Sequence, residues 1–343
     1  MHLRGIAGRT LLRVKSRVYR PVAWVALVAG VALLASAFCE TAAPPASAPP
    51  LIQPPAGAAA AFPGAPGPTI PVQAVLGQEG SLQSPEDAVV LPNGTVVIAD
   101  TGNHRLVLLD SAGRVQRTVS RGSVPLSQPY AVAPASGGFL VLEAQTGTID
   151  RFDDGGHFVA RAAQDITLRY SRGLAVAPNG EMLVASPVFN SVVVMSANGT
   201  VSSRLTSPLG SAPGQFNQPA AIAVDAHGHL YLLDCVNRRI EELTVSGAFV
   251  AQWPAPDAST LTPIHLLPLA DGRLITLDPT GALLVYTSRG GEPTRYPLEV
   301  NGEPVASPES TLSGLSLMPN GHLLATDSGA NRLLEFPLPS GLG

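Results

Sequence analysis

In the stretch ADTGNHRLVLLD an acid, an amide and a base, Asp100, Asn103 and Arg105, stand within six residues and run straight into apolar chain. A carboxylate can move a proton beside a guanidinium that stabilises charge at a reaction centre, or the two can pair and hold a turn. The trio recurs as Asp234, Asn237 and Arg239 and as Asp327, Asn331 and Arg332, each Asp five residues ahead of its Arg. A reaction centre is not built three times in one chain. These residues are therefore expected to be structural clamps, a bidentate carboxylate–guanidinium pair with Asn tolerating the unusual backbone angles of a tight turn. His104 is expected to be exposed, at a variable position matched by Val236 and Ala330.

Departures from this pattern carry more information. Glu143 has Thr148 where an Arg is due, Asp278 faces Leu283, and Ser186 and Ser191 replace the pair outright. An unpaired carboxylate near an apolar core is costly, so Glu143 and Asp278 are expected to be solvated or partnered by something else. A second set precedes each of six recurrent glycines by eight and seven residues: Glu86 and Asp87, Tyr130 and Ala131, Arg172 and Gly173, Ala220 and Ala221, Ile264 and His265, Ser313 and Gly314. Asp87, Tyr130, Arg172 and His265 are the candidate ligand-binding residues, at equivalent places around one opening, with Glu143 and Asp278 farther out on the same face. Arg172 offers a fixed positive fork and Tyr130 a stacking surface with a hydroxyl. His265 and Asp87 form a donor–acceptor pair able to change charge near neutral pH. An anionic or hydroxylated small molecule suits this set, and a merely wet channel mouth is the alternative.

The elements that must position these residues follow from the glycines. Short strands open at or just after Gly94, Gly138, Gly180, Gly228, Gly272 and Gly321, spaced by 44, 42, 48, 44 and 49 residues. That is the length of a four-stranded propeller blade. An apolar strand precedes each glycine and makes a hairpin with the next, then a third strand and a more variable outer one follow. SPEDAVVLPNGTVVIADTGNHRLVLLDSAGRV and FNQPAAIAVDAHGHLYLLDCVNRRIEELTVSGAFV resemble NHL repeats, with their Pro, hydrophobic strand, Gly turn and Asp-x-x-Asn-x-Arg; LSGLSLMPNGHLLATDSGANRLLEFPLP is a third copy, and the other three are degenerate. The resemblance covers about residues 70 to 340 and implies an all-β, six-bladed β-propeller. It implies less about activity, since bacterial members include ligand-binding domains, sensors and some lyases. Propeller enzymes that amidate peptides or open lactones use a metal shell of several residues, and here the mouth offers one His.

The remaining chain sets the context. Residues 1 to 20 hold six bases and no acid, and the apolar run from Pro21 to Phe38 follows, as in a secretory signal cut after Ala35-Ser36-Ala37 or an uncleaved anchor. Lipidation at Cys39 is the third option. Residues 39–69, mostly Ala and Pro, read as a disordered spacer, leaving 70–343 for the propeller. Beyond residue 37 there are 15 bases against 25 acids, which argues against nucleic acid as a partner. Cys39 and Cys235 are the two cysteines, Cys235 within an apolar strand, and no disulfide framework is indicated. No phosphate loop, nucleophile elbow or metal-ligand spacing is present, so no cofactor is named and no metal is expected. The chain is expected to be an exported monomer, periplasmic, at the cell surface or secreted, with membrane association possible through residues 21–38. Its top face is expected to bind a small molecule or a protein. A lyase or hydrolase with a metal or acid/base site at the channel mouth is the alternative. Residues 70–76 are expected to complete the last blade by pairing with the RLLEFP strand.

Overall fold

Apolar runs punctuated by turn glycines fold into antiparallel meanders. The computed structural model describes residues 70–71, 74–76, 82–255, 265–278, 281–287, 289–305 and 311–339. In blade 1, Pro85–Val90 runs outward from the mouth to a turn at Gly94, whose φ of +84° lies in the left-handed region that favours glycine. Val96–Asp100 returns, a 3-10 turn at Thr101–Asn103 leads into Arg105–Leu109, and Val115–Val119 forms the outer edge. Five further sheets repeat the plan, with innermost strands Pro129–Ala135, Gly173–Val176, Pro219–Val224, Leu266–Pro268 and Leu312–Leu317. The molecule is a six-bladed β-propeller, as the glycine spacing predicts. The end at which the innermost strands begin is called the top.

The second strands of blades 1 to 5 are buried at every residue, from Val96–Asp100 to Leu274–Asp278, and that of blade 6, His322–Asp327, at all but His322, which explains their lack of polar alternation. Each lies between neighbouring blades with both faces covered. The buried apolar residues fall into six clusters, and each cluster is shared by two successive blades. Between blades 1 and 2, for example, Val97 and Leu108 pack with Phe139 and Phe152, whose rings stack at 5.4 Å. Burial of each such side chain stabilises the fold by roughly 1.5–3 kcal/mol.

The ring closes with chain from before blade 1. Ala74–Leu76 pairs antiparallel with Arg332–Pro337 and gives blade 6 its fourth strand, as expected. Ile70–Pro71 does not continue this pairing; it adds in parallel to Thr294–Val300, the outer strand of blade 5. The expected signal or anchor (1–38) and spacer (39–69) lie outside the described residues, and among the described residues no helix is long and apolar enough to cross a membrane. Cys235 lies in the turn after Leu230–Asp234, not within the strand, and it is disulfide-bonded, not a free thiol. The other cysteine in the sequence, Cys39, is outside the described residues.

Candidate functional site at the channel mouth

The innermost strands converge at the top, so the residue that opens each one faces the central channel. Strand pairing sets Asp87 opposite Ala99 and Gly173 opposite Ala185, one residue short of the strand end in each blade. Asp87, Ala131, Gly173, Ala221 and His265 thus form one ring, with Glu86, Tyr130, Arg172, Ala220 and Ser313 in the position before it. All ten line a single recess of about 520 Å³, open to solvent. The four chosen residues are brought together, but across two adjacent ring positions and not at one: Asp87 and His265 share one position, Tyr130 and Arg172 the position before it. Glu86, a mouth position not among the chosen four, belongs to the site as fully as they do.

Two pairs of side chains line the recess. Arg172 lies over the Tyr130 ring, with Cζ 5.7 Å from its centroid, a cation–π arrangement. The Glu86 carboxylate takes the Tyr130 hydroxyl as donor and lies in the field of Arg172, yet burial outweighs both and raises its pKa above the usual range. Burial also pushes the Tyr130 hydroxyl up. In the second pair, Asp87 Oδ2 accepts the Val132 backbone N–H at 2.9 Å and so ties blade 1 to blade 2. Asp87 Oδ1 is buried without a hydrogen-bond partner, 3.9 Å from His265 Nδ1.

Blade 6 lies between the strands carrying these two side chains and presents Gly314. A Cβ there would stand 2.8 Å from Asp87 Oδ1, so this glycine leaves the space the carboxylate occupies. Burial raises the Asp87 pKa, opposed by His265 and the Val132 N–H, and lowers that of His265, opposed by Asp87. A neutral imidazole, a carboxylate oxygen without a donor and a stacked guanidinium thus share one opening. Among the described residues no group of three or more His, Cys, Asp or Glu is arranged to hold a metal ion.

Glu143 and Asp278 lie outside this recess, in contacts that explain the whole clamp set. In blades 1, 4 and 6 the Arg Nε meets Oδ2 of its Asp at 2.6, 3.0 and 2.9 Å, one nitrogen to one oxygen and not the bidentate fork expected. The other oxygen takes a backbone N–H from the loop entering the same blade: Gln83 on Asp100, Asn217 on Asp234, Thr311 on Asp327. The carboxylate is a staple between that loop and the blade. Glu143 does the same without an Arg, its Oε2 accepting the Ser127 and Gln128 N–H groups, while burial raises its pKa.

Asp278 is not orphaned, since Arg295 reaches it from the outer strand at 3.0 Å. Its strand partner is Ala282, not Leu283, because the turn is one residue shorter. Asn103 and Asn237 are not the residues in the left-handed turn conformation. Asn103 and Asn237 donate Nδ2 to the carboxylate, and the left-handed residue is the next one, His104, Arg238, Asn331 or Asn190. His104 is thus fixed by the turn and matches Arg238 and Asn331, not Val236 and Ala330.

Residues 82–107 match the family model described as NHL repeat. E3 ubiquitin-protein ligase TRIM32 of Homo sapiens is 28% identical over 151 residues, covering 39% of this chain and 21% of that protein. Protein brain tumor of Drosophila melanogaster is 29% identical over 129 residues, covering 36% of this chain and 12% of that protein. The chain therefore spans less than a quarter of the length of either relative. Among solved structures, a streptogramin B lyase superposes with a TM-score of 0.57 at 17% identity, covering 78% of this chain and 88% of that one. Virginiamycin B lyase from Staphylococcus aureus gives 0.55 at 13%, covering 74% and 80%, and hydrazine synthase of Kuenenia stuttgartiensis 0.54 at 16%, covering 74% and 76%. At these identities the likeness is one of fold.

Proposed function

This chain is an NHL-repeat β-propeller, and we propose that it works as an exported binding module whose top face receives a ligand with hydrogen-bond donors at the channel mouth. The observation that carries the reading is Asp87 Oδ1. A buried acceptor left unmatched costs on the order of 1–3 kcal/mol, so an oxygen kept in that state beside an open recess is suited to a donor brought by the ligand. Hydroxyl and ammonium groups fit, whereas an anion would meet Glu86 and Asp87 together. Arg172 and Tyr130 then flank the ligand with a charged plane and a stacking face. NHL propellers are a protein-binding scaffold type, which supports a protein side chain as well as a small molecule as the bearer of that donor.

A thermal-shift screen of the full chain against polyols, sugars, amino alcohols and short peptides tests this. Binders should raise the melting temperature of the parent and lose about tenfold or more in affinity with Arg172→Ala or Asp87→Leu, as for hydrogen bonds to charged groups. If no compound binds, or the variants bind as the parent does, the mouth is not a binding site. A lyase or hydrolase at the same mouth is the second reading, favoured by the neutral His265 imidazole 3.9 Å from a carboxylate. It requires turnover of a bound ligand that His265→Ala abolishes without abolishing binding. Export rests on the basic residues 4–20 and the apolar run 21–38. A fused alkaline phosphatase, active only outside the cytoplasm, should be active, and an inactive fusion would place the module inside.

A further inference from the structure

Blade 3 has lost the whole clamp. Ser186, Phe189 and Ser191 stand where blade 1 has Asp100, Asn103 and Arg105. With no carboxylate to serve, position 189 turns outward: Phe189 is 44% exposed and Val188 beside it 48%. Ile166, in the turn leading into the blade, is 62% exposed, and Leu209, in the loop leaving it, 73%. The other large apolar side chains exposed among the described residues lie on outer strands or at the bottom of the propeller.

Hydrogen bonds tie these segments to one another. The Ser186 hydroxyl donates to the Thr167 carbonyl at 2.8 Å, and Asn190 Nδ2 donates to the carbonyls of Ser207 and Phe216 at 3.1 and 3.2 Å. Around Leu209, the carbonyls of Gly210, Ser211 and Ala212 accept from Asn237 and Arg239. Leu209 is therefore exposed on a pinned loop. Bulky apolar side chains held together in water mark an interaction site more than a fold requirement.

Charge narrows the kind of partner. Between Glu181 and Asp225 the sequence has a single charged residue, Arg204, and it is paired with Asp165 at 2.6 Å. Arg169, exposed three residues after Ile166, makes one long contact of 3.5 Å to the Thr146 carbonyl. The patch is apolar with a basic edge, in a chain with 25 acids against 15 bases beyond residue 37.

We propose that the top of blade 3 is a docking surface for a protein segment that presents bulky apolar side chains flanked by carboxylates. Phe189 and Leu209 are the anchors, and Arg169 meets the acid and steers the encounter. The surface lies outside the mouth recess, so its failure leaves the proposed function standing.

The full chain, immobilised and panned with a random library of short peptides, should enrich sequences that combine Leu, Phe or Trp with Asp or Glu. Phe189→Ser and Leu209→Ser should each weaken the enriched peptides about tenfold or more, as anchor truncations do, with the melting temperature unchanged. Arg169→Glu should weaken them most at low salt. Enrichment of basic or uncharged peptides, no enrichment, or undiminished binding by the Ser variants overturns the proposal. So does self-association lost in Leu209→Ser, which assigns the patch to a second copy, or binding to phosphatidylglycerol vesicles lost in Phe189→Ser, which assigns it to lipid.

Discussion

Asp87 does two jobs with two oxygens, and only one of them belongs to the fold. Oδ2 ties blade 1 to blade 2, while Oδ1 is held dry beside Gly314 and His265. Its folded-state pKa lies above that of the unfolded chain, so the fold binds this proton more tightly. The stability this gives is fully present below the ordinary aspartate range and is lost as pH rises through the folded value. Asp87→Asn keeps an acceptor for Val132 and should therefore raise the melting temperature at pH 7, with the gain fading on acidification. An unchanged or lower melting temperature at pH 7 counts against a carboxylate held at a cost. His265 has the opposite sign: its lowered pKa gives stability that is lost as pH falls through the ordinary histidine range, and His265→Gln should flatten that limb of the profile. The ring of mouth residues was legible in the sequence because glycine alignment counts positions. That Glu86 acts with Tyr130 and Arg172 was not, since side-chain direction depends on the register shift after Pro85.

At the level of elements, the staple matters more than the ion pair. Arg239 joins Asp234 and Glu241 and also takes the carbonyls of Ser211, Ala212 and Gln215, with its side chain 10% exposed, whereas Arg105 and Arg332 are 26% and 25% exposed. Arg239→Leu should cost about 3–5 kcal/mol in urea unfolding, as broken buried pairs do. Arg105→Leu should cost nearer the roughly 0–1 kcal/mol of exposed pairs. Equal effects would mean that the deeper burial of Arg239 adds nothing. Leu283→Arg, a repair suggested by the sequence pattern alone, should instead destabilise by at least the roughly 2–5 kcal/mol of losing a buried leucine, because Leu283 is fully buried and Asp278 already has Arg295. Three clamps were legible because spacing within a hairpin is local. The fourth was hidden because Arg295 comes from another strand, 17 residues on.

At the scale of the whole molecule, the glycine period made the blade number legible, and the incomplete last blade made the closure legible. The parallel addition of Ile70–Pro71 to blade 5 left no trace in the pattern, since two residues carry no periodicity. A chain beginning at Gln78 lacks both pairings and exposes the Arg332–Pro337 strand as a free edge. It should melt several degrees lower than the full chain or aggregate, and equal thermal stability would show the seam to be dispensable.

That seam also fixes how the protein would answer to a pull. Every core cluster joins only two neighbouring blades, so the ring behaves as a belt whose buckle is Ile70–Pro71 and Ala74–Leu76. A tether attached upstream of Ile70 loads the buckle before any blade. Its few ladder bonds then set the rupture force, and the unfolding rate under tension, not the equilibrium stability of six blades, decides how long the belt stays closed.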